Sequence, residues 1–155
     1  MEIRKLVELD YDQVIALYFQ LDEMHALARP DCIVCRQRDE VYPRADYLHN
    51  LDYPGGLLLG AFDGEKMVGF VDATLWEKSG MREDLKTVCL DNIFVLPEYR
   101  RRGIAAKLFA AVEVWAKEQG AIRLELHTWD FNQSAIAMYQ AMGMMPQRHV
   151  FEKKL

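Results

Sequence analysis

The segment that most constrains this chain is an apolar strand that runs into a short turn and then into a long helix. Residues 88–95 are mostly apolar and β-forming, and a helical pattern begins at Gly103. The turn between them carries Arg100-x-x-Gly103-x-Ala105. A helix N-terminus presents unpaired backbone N–H groups and the positive end of the helix dipole, and small residues let a ligand approach them. The segment therefore predicts a site for a pyrophosphate group.

This turn differs from the two common nucleotide-binding loops. No Gly-Lys-Ser/Thr follows it, as a Walker loop requires, and its glycine does not belong to a G-x-G-x-x-G pattern. Arg100, Arg101 and Arg102 add positive charge at the turn. Three arginines alone would also suit an ordinary solvent-exposed helix start. Their position between a strand and a helix is what favours the phosphate interpretation.

The order of elements predicts a mixed sheet. We expect strands at residues 2–7, 57–62, 66–76, 88–95, 122–128 and 149–153, and helices at Asp10–Arg29, Arg44–Leu51, Gly103–Gln119 and Asn132–Met142. Asp10 is the expected N-cap of the first helix, with Gln13 as its capping-box partner. Residues 31–42 and 77–87 are expected to be loops. Strands and helices alternate only in the second half, which predicts antiparallel pairing first and a parallel βαβ unit at 88–128.

Composition narrows the functional class. The chain has 155 residues, 51% of them hydrophobic, and no repeat or linker, so we expect a single domain over residues 1–155. No apolar run approaches the roughly 20 residues of a membrane helix, and the N-terminus lacks the pattern of a signal peptide. The net charge of −5 argues against a nucleic-acid partner. We therefore expect a cytoplasmic protein without a nucleic-acid or membrane partner.

The three cysteines are typical of free thiols in a reducing compartment. Their count is odd, and no secretion signal precedes them. Cys32 and Cys35 have C-x-x-C spacing, but a structural zinc site needs four ligands and no second pair follows. The pair also follows Arg29-Pro30-Asp31 rather than a strand, unlike a redox motif. We expect two incidental thiols and no metal.

A second motif lies on the last predicted helix and reads Asn132-x-x-Ala135-x-x-x-Tyr139-x-x-x-Gly143. Together with the segment from Val95 to Ala105, it resembles the GNAT N-acetyltransferase superfamily, whose acetyl-CoA signature is Arg/Gln-x-x-Gly-x-Gly/Ala. The two motifs cover residues 88–145 in the family's order, and the predicted elements fit the family over the whole chain. Met144 stands where the family commonly has Phe, which is a change in packing.

The resemblance implies an α+β GNAT fold with a central mixed, mostly antiparallel sheet of about six to seven strands flanked by about four helices. It implies acetyl-CoA as co-substrate, without a metal. Its pantetheine arm would pair with the strand before the turn, which requires the strand at 88–95 to part from the strand at 122–128. The cofactor-binding residues implied in this way are Ile93, Phe94, Val95, Arg100, Arg101, Arg102, Gly103, Ile104, Ala105, Asn132 and Tyr139.

The implied reaction is direct transfer of an acetyl group from the thioester to a primary amine of a small molecule or peptide. The thioester oxygen needs a hydrogen-bond donor, for which a main-chain N–H near Phe94 or Val95 is a candidate. The departing thiolate benefits from a proton donor. We assign that role to Tyr139, because a tyrosine with an ordinary pKa of about 10 is protonated at neutral pH. The alternative for Tyr139 is a half-buried packing residue.

The proton acceptor for the amine is less determined by the sequence. Asp91 on the central strand is the candidate, acting through water, although it would also suit an ion pair or a local turn. His127 at the end of the next strand is a second candidate, and a water chain without any base is a third possibility. The acceptor pocket is expected near residues 25–31, 42–53 and 76–85, with these candidate side chains: Tyr47, Tyr53, Trp76, Trp129, Glu23, Asp31 and Glu77.

Two other interpretations stay open from the sequence. A non-catalytic acyl-CoA-binding sensor on the same fold would carry the same phosphate turn. A homodimer is possible, since dimers are common in the family, but no residue identifies the interface.

Overall fold

The computed structural model describes residues 1–78 and 85–154. The strands are β1 (Glu2–Lys5), β2 (Gly56–Asp63), β3 (Lys66–Lys78), β4 (Leu85–Val95) and β5 (Arg123–Leu126). The helices are α1 (Tyr11–Ala28), α2 (Arg38–Val41), α3 (Arg44–Asp52), α4 (Ile104–Glu118) and α5 (Gln133–Ala141). Short 3-10 helices precede α1 and α4, at Glu8–Asp10 and Pro97–Tyr99. None of the described helices has both the length and the apolar character of a membrane span.

The sheet follows the chain, in the order β1-β2-β3-β4-β5. The first three pairings are antiparallel and the pairing of β4 with β5 is parallel. A parallel pair needs a long crossover, and α4 supplies it between β4 and β5. The predicted α+β class and the mixed sheet with its parallel βαβ unit are confirmed.

The described residues form five strands instead of the six to seven that we expected. The predicted strand at 149–153 is wrong, because the chain there pairs with no strand. Val150 and Phe151 are 93% and 92% exposed. The segment is held by an ion pair, in which Arg29 Nη2 lies 2.9 Å from Glu152 Oε1. The alternation of its side chains suited a strand, but its position at the end of α1 gives it no sheet edge.

The predicted loops at 77–87 and 31–42 also need correction. β3 continues to Lys78 and β4 begins at Leu85, so that Trp76 pairs with Thr87 in an extended hairpin. Residues 79–84 of the predicted loop lie outside the described residues. Within 31–42, the described chain forms the short helix α2.

Asp10 and Gln13 do not form the predicted capping box. The carboxylate of Asp10 accepts hydrogen bonds from Arg4 at 2.7 and 2.8 Å and from the Val7 N–H at 2.9 Å. The side-chain oxygen of Gln13 accepts from the Met67 N–H at 2.7 Å. These contacts tie α1 to β1 and to β3, so tertiary hydrogen bonds replace the local ones that the sequence pattern favoured.

The helices cover both faces of the sheet. The ring of Tyr18 on α1 lies 4.2 Å from that of Phe70 on β3, centroid to centroid. Alternate strand residues point to opposite faces, so Val71 faces the other side. Both Phe70 and Val71 are fully buried. Because α4 contacts β2, β3, β4 and β5 and buries Leu108 and Val112, it covers that second face. The end of β4 therefore lies between the α1 face and the start of α4.

Candidate active site

β4 and β5 part in the middle of the sheet. Their parallel pairing ends at Leu90 and Leu126, where β5 stops, while β4 continues to Val95. Within residues 1–78 and 85–154, no strand therefore pairs with residues 91–95 on that side. The separation that the resemblance requires is present, and it leaves an open edge beside the turn that leads into α4.

Along this open edge, alternate backbone N–H and C=O groups point into the gap and toward β3. The Leu96 N–H donates to a β3 carbonyl oxygen at 2.9 Å. A Cβ on Gly69 of β3 would lie 2.8 Å from the Phe94 oxygen, so that oxygen also points toward β3. Because backbone groups of successive residues point to alternate sides, the N–H and C=O of Ile93 and Val95 face the gap.

The turn into α4 holds two residues in the left-handed region. Arg101 has φ 63° and Gly103 has φ 76°. No side chain caps the helix, and its first described intrahelical bond runs from the Lys107 N–H to the Gly103 oxygen at 3.1 Å. The N–H groups of Ile104 and Ala105 thus have no intrahelical acceptor, which is the arrangement that binds a phosphate.

The three arginines of the turn differ in what they contact. Arg100 Nε donates to the Val95 oxygen at 3.0 Å, and its guanidinium lies 5.6 Å from the centre of the Phe94 ring. Arg102 Nη2 donates to a carbonyl oxygen of the preceding 3-10 helix at 2.8 Å. Arg101 is exposed. Arg100 and Arg102 therefore shape the turn as well as adding charge, whereas Arg101 is placed to act through its charge.

α5 lies on the far side of the gap. Asn132 caps it, because Asn132 Oδ1 accepts from the Ala135 N–H at 3.3 Å. Tyr139 is half-buried, with its ring 6.4 Å from that of Phe109. Burial raises the pKa of Tyr139 to about 12. Its hydroxyl is thus protonated at neutral pH and able to donate.

Asp91 is the extra residue of a β-bulge. β3 and β4 pair Asp72 with Asn92 and then Ala73 with Leu90, so Asp91 has no partner residue on β3. It is exposed on the surface. A bulge next to a gap in the sheet re-aims the side chains that follow it, which is a common device beside active sites.

Four polar side chains meet at this bulge on the α1 face of the sheet. Thr74 Oγ1 donates to Asp91 Oδ2 at 2.7 Å, and Asn92 Nδ2 donates to Asp72 Oδ2 at 3.2 Å. Asp72 and Thr74 are two residues apart on β3 and share the face of Phe70. Polar groups from both strands thus surround the point where β4 leaves β5.

Asp72 is the residue that the sequence analysis missed. It is half-buried, and its Oδ1 and the Tyr18 hydroxyl are both shielded from solvent and face each other as a side-chain pair. Burial raises the pKa of Asp72 to about 7, and the nearby charge of Asp91 adds to the effect. One signal was available, because Asp72 is the only charged residue in the run Met67–Leu75.

A cavity of about 140 Å³ opens beside Asn92, between α1 and the sheet. Two of its charged lining groups are paired, with Arg36 Nη2 lying 2.8 Å from Asp22 Oδ1. Burial lowers the pKa of His25, so its ring is neutral at pH 7. The full lining is Tyr18, Leu21, Asp22, His25, Arg36, Val41 and Asn92.

Five other residues that the sequence analysis named as candidates do not line this cavity: Tyr47, Asp31, His127, Tyr53 and Trp129. Tyr47 is fully buried and donates to the Val7 oxygen at 2.6 Å, so it belongs to the core and not to an acceptor pocket. Asp31 forms an ion pair with Arg29, in which Arg29 Nε lies 3.0 Å from Asp31 Oδ1. His127 follows β5 and is exposed. Tyr53 and Trp129 are also partly exposed, away from the lining of the cavity.

The cysteines carry no metal-binding arrangement that the structure describes. Cys32 and Cys35 are exposed, Cys89 is buried, and none of the three forms a disulfide among the described residues. Within residues 1–78 and 85–154, no group of three or more His, Cys, Asp or Glu side chains is placed to hold a metal ion.

Comparisons with known sequences place this geometry in a family. A model described as "Acetyltransferase (GNAT) family" matches residues 21–144. The chain is 35% identical over 99 residues to an aminoglycoside N(6')-acetyltransferase type 1 of Acinetobacter baumannii, covering 63% of this chain and 68% of that protein. It is also 36% identical over 58 residues to a thialysine N-epsilon-acetyltransferase of Bos taurus, covering 37% of this chain and 34% of that protein.

Solved structures agree along the whole chain. A mutant of the BH1408 protein from Bacillus halodurans has a TM-score of 0.92 and 26% identity, covering 100% of this chain and 99% of that one. The aminoglycoside N-acetyltransferase AAC(6')-Iy, solved with the bisubstrate analog CoA-S-monomethyl-acetylneamine, has a TM-score of 0.79 and 26% identity, covering 99% and 97%. With the family model across most of the chain and the fold across all of it, the chain belongs to the GNAT family of acetyltransferases.

Proposed function

We propose that this chain transfers the acetyl group of acetyl-CoA directly to a primary amine of a small molecule. The observation that carries the proposal is the open edge at residues 91–95, which lies directly before the uncapped N-terminus of α4. A molecule with amides at one end and a pyrophosphate at the other fits both features at once.

The first turn of α4 binds the pyrophosphate of acetyl-CoA in this proposal. The N–H groups of Ile104 and Ala105 supply donors, and the left-handed Gly103 lets the backbone close around the phosphates. The backbone groups of Ile93 and the Val95 oxygen, which also accepts from Arg100, pair with the pantetheine amides. Four further residues of the same surface are Arg100, Arg101, Arg102 and Asn132.

The reaction then needs a donor at the thioester oxygen and another at the sulfur. Of the two N–H groups that the sequence suggested, that of Val95 faces the gap and that of Phe94 belongs to the β3 ladder, so Val95 is the better candidate. The Tyr139 hydroxyl gives a proton to the departing thiolate. Because burial raises the pKa of Tyr139 to about 12, the tyrosinate left behind is a strong base and takes a proton back from solvent.

The acceptor amine must lose a proton before it can attack. Asp91 is exposed at the bulge beside the gap and accepts only the Thr74 hydroxyl among the described side chains, so its second oxygen remains for a water molecule. We assign Asp91 the role of passing the proton to solvent through water.

One observation supports a small-molecule acceptor over a peptide. The sequence matches include proteins named aminoglycoside N(6')-acetyltransferases.

Thermal unfolding with and without ligand tests the cofactor assignment. Acetyl-CoA at 100 times its dissociation constant adds roughly 2.7 kcal/mol to folding stability, which raises the Tm by several degrees. We expect this shift with acetyl-CoA and CoA and none with AMP. Absence of a shift at millimolar acetyl-CoA would reject the phosphate site.

Release of free thiol from acetyl-CoA then tests the transfer. The amine panel is neamine, thialysine and a lysine-containing peptide. We expect turnover with a small amine and little with the peptide. A Tm shift without turnover on any amine would instead identify a non-catalytic acyl-CoA-binding module.

We further propose that residues 1–155 act as one domain in the cytoplasm, without a metal or nucleic-acid partner, and that two copies form a homodimer. The free thiols support a reducing compartment, and the net charge of −5 disfavours nucleic acid. The exposed Val150 and Phe151 support a contact between copies. Light scattering tests the dimer, since Phe151→Asp should convert it to a monomer.

A further inference from the structure

We propose that two copies of this chain exchange their C-terminal tails (residues 145–154), so that each tail enters a groove beside β5 of the other copy and pairs with β5 as a sixth strand. The inference rests on the proposed homodimer and gives that dimer an interface. It does not depend on the acetyl-transfer reaction. The partner is a second copy because the tail and the groove that fits it belong to one sequence.

The tail has the composition of a strand but no strand beside it. It contains the adjacent β-forming residues Val150 and Phe151, and no glycine or proline follows Pro146. Among the described residues, its backbone makes no hydrogen bond to another backbone group. Val150 and Phe151 are 93% and 92% exposed. Adjacent apolar side chains at this exposure indicate a surface that a partner covers.

β5 offers the edge that the tail lacks. It is the last strand of the described sheet, so within residues 1–78 and 85–154 no strand pairs with its outer edge. A groove of about 360 Å³ is lined both by Leu124 of β5 and by residues 144–147. The tail approaches β5 there through side-chain ends, since Gln147 Nε2 donates to Glu125 Oε1 at 3.3 Å. Paired strands lie about 4.8 Å apart, so two long side chains that meet end to end leave room for one more strand.

Apolar surface borders this edge on both faces of the sheet. On the α4 side, the apolar lining of the groove includes Phe109, Met142, Met144 and Met145. On the α1 side, Trp129 and Phe131 are 40% and 37% exposed, and the Phe131 ring lies 6.1 Å from that of His25 on α1. Successive strand residues point to opposite faces, so Val150 and Phe151 of an inserted tail each meet one of these surfaces.

The charges of the tail and of the edge are complementary. The tail carries three basic residues and one acidic residue, which are Arg148, Lys153, Lys154 and Glu152. The charged residue that lines the groove is Glu113, and Glu125 lies on β5. Groups of opposite sign favour the encounter and fix its register.

The contact that holds the tail in a single chain is weak. Glu152 forms an ion pair with Arg29, but the side chain of Glu152 is 73% exposed. Exposed ion pairs contribute little to stability, so this pair opposes release of the tail only slightly.

Two-fold symmetry makes the exchange reciprocal. When the tail of the second copy fills the groove of the first, the tail of the first fills the groove of the second. Both β5 edges are then paired, which removes two exposed strand edges at once. The strand expected at 149–153 thus forms on a sheet edge that the other copy supplies.

The test compares Val150→Pro with Val34→Pro in the full chain. Proline at 150 removes a backbone N–H from the middle of the new strand, whereas Val34 is 82% exposed in a segment without helix or strand. Light scattering gives the oligomeric state, and hydrogen exchange gives the protection of the tail amides. We expect dimers for the wild type and Val34→Pro, with tail amides that exchange about a hundredfold more slowly than in an unstructured chain. Val150→Pro should be a monomer with an unprotected tail.

A charge reversal at the groove adds a second readout. Glu113→Lys places a like charge opposite the basic tail, and Glu118→Lys makes the same change on α4 outside the groove lining. The Kd of the dimer should rise about three- to tenfold in Glu113→Lys at low salt and less at high salt. Glu118→Lys should match the wild type. An unchanged Kd in Glu113→Lys would overturn the groove as the binding site of the tail.

The other outcomes separate the exchange from the dimer. A wild-type dimer whose tail amides exchange freely overturns the exchange and leaves a homodimer through another surface. A Val150→Pro dimer that has lost only the tail protection also overturns it, because the tail then pairs within its own chain. A monomeric wild type overturns both the exchange and the homodimer. Thiol release from acetyl-CoA tests the transfer reaction separately in every case.

Discussion

Arg100 Nε lies 3.0 Å from the backbone oxygen of Val95 and ties the phosphate turn to the strand that faces the gap. The arginine of the family signature is thus a structural link as well as a positive charge. A variant at Arg100 changes both at once, so the charge contribution of the turn has to be measured at a neighbour whose side chain is exposed.

Arg101→Gly provides that measurement. Glycine tolerates the φ of 63° at this position, so the substitution removes the charge without straining the turn. We expect the Kd of acetyl-CoA to rise about two- to fivefold at low salt, with a smaller effect at high salt. Lys117→Gln at the other end of α4 is the control. A salt-independent or absent effect would show that Arg101 does not meet the phosphates.

Gly103→Ala tests the backbone of the turn. No atom lies within 4 Å of an added Cβ, so the cost comes from φ 76° alone and amounts to roughly 1–2 kcal/mol of unfolding free energy. Gly64→Ala is a matched control, with φ 61° and equally open surroundings at the β2–β3 hairpin. Both variants should lose stability in urea unfolding, and only Gly103→Ala should also bind acetyl-CoA more weakly. Equal cofactor binding by the two would contradict the phosphate site.

Tyr139→Phe tests the proton donor. The hydroxyl makes no described hydrogen bond, so its removal should leave the fold and the Kd of acetyl-CoA unchanged. Loss of a general acid should lower kcat about a hundredfold or more. Tyr99→Phe, which removes a hydroxyl from the turn before α4, is the control for steady-state kinetics. Full activity of Tyr139→Phe across the pH range would leave Tyr139 as a packing residue.

The ion pair of Arg4 and Asp10 should make stability depend on acidic pH. The hydrogen bond from Arg4 holds the pKa of Asp10 below its usual value, so its contribution is complete above about pH 4 and is lost as the pH falls through the folded-state pKa. Asp10→Asn should lose roughly 1–3 kcal/mol at pH 7. Urea unfolding at pH 7, 5 and 3 should show the wild type approaching the variant only at the lowest pH.

Asp72 should have the opposite effect on stability. Its folded-state pKa of about 7 lies above the value of about 3.9 in the unfolded chain, so its stabilising contribution is complete below pH 4 and is lost as the pH rises toward 7. Urea unfolding should show Asp72→Asn gaining on the wild type over this range. A constant difference between the two proteins would mean that Asp72 titrates normally.

The sequence predicts the features that are determined by residues close together along the chain. The turn with Gly103, the cap by Asn132 and the helical faces are local patterns, and the structure contains them. The partners of Asp10 and Gln13 come from β1 and β3, so no local pattern could reveal them. Asp72 matters because of what Tyr18 and Asn92 place around it, which depends on the packing of α1 against two strands.

Because of the bulge at Asp91, two β4 residues that are two positions apart, Leu90 and Asn92, point to opposite faces of the sheet. Leu90 lies across from Ala73, on the side of α4, whereas Asn92 lies across from Asp72, on the side of α1. Without the extra residue, Asn92 would follow Leu90 in a regular ladder and would still lie across from Asp72. The bulge therefore adds one carboxylate to the α1 side of β4 without changing the face of any residue that follows it, and a chain that lacked it would keep the same sheet and lose only the group that accepts from Thr74.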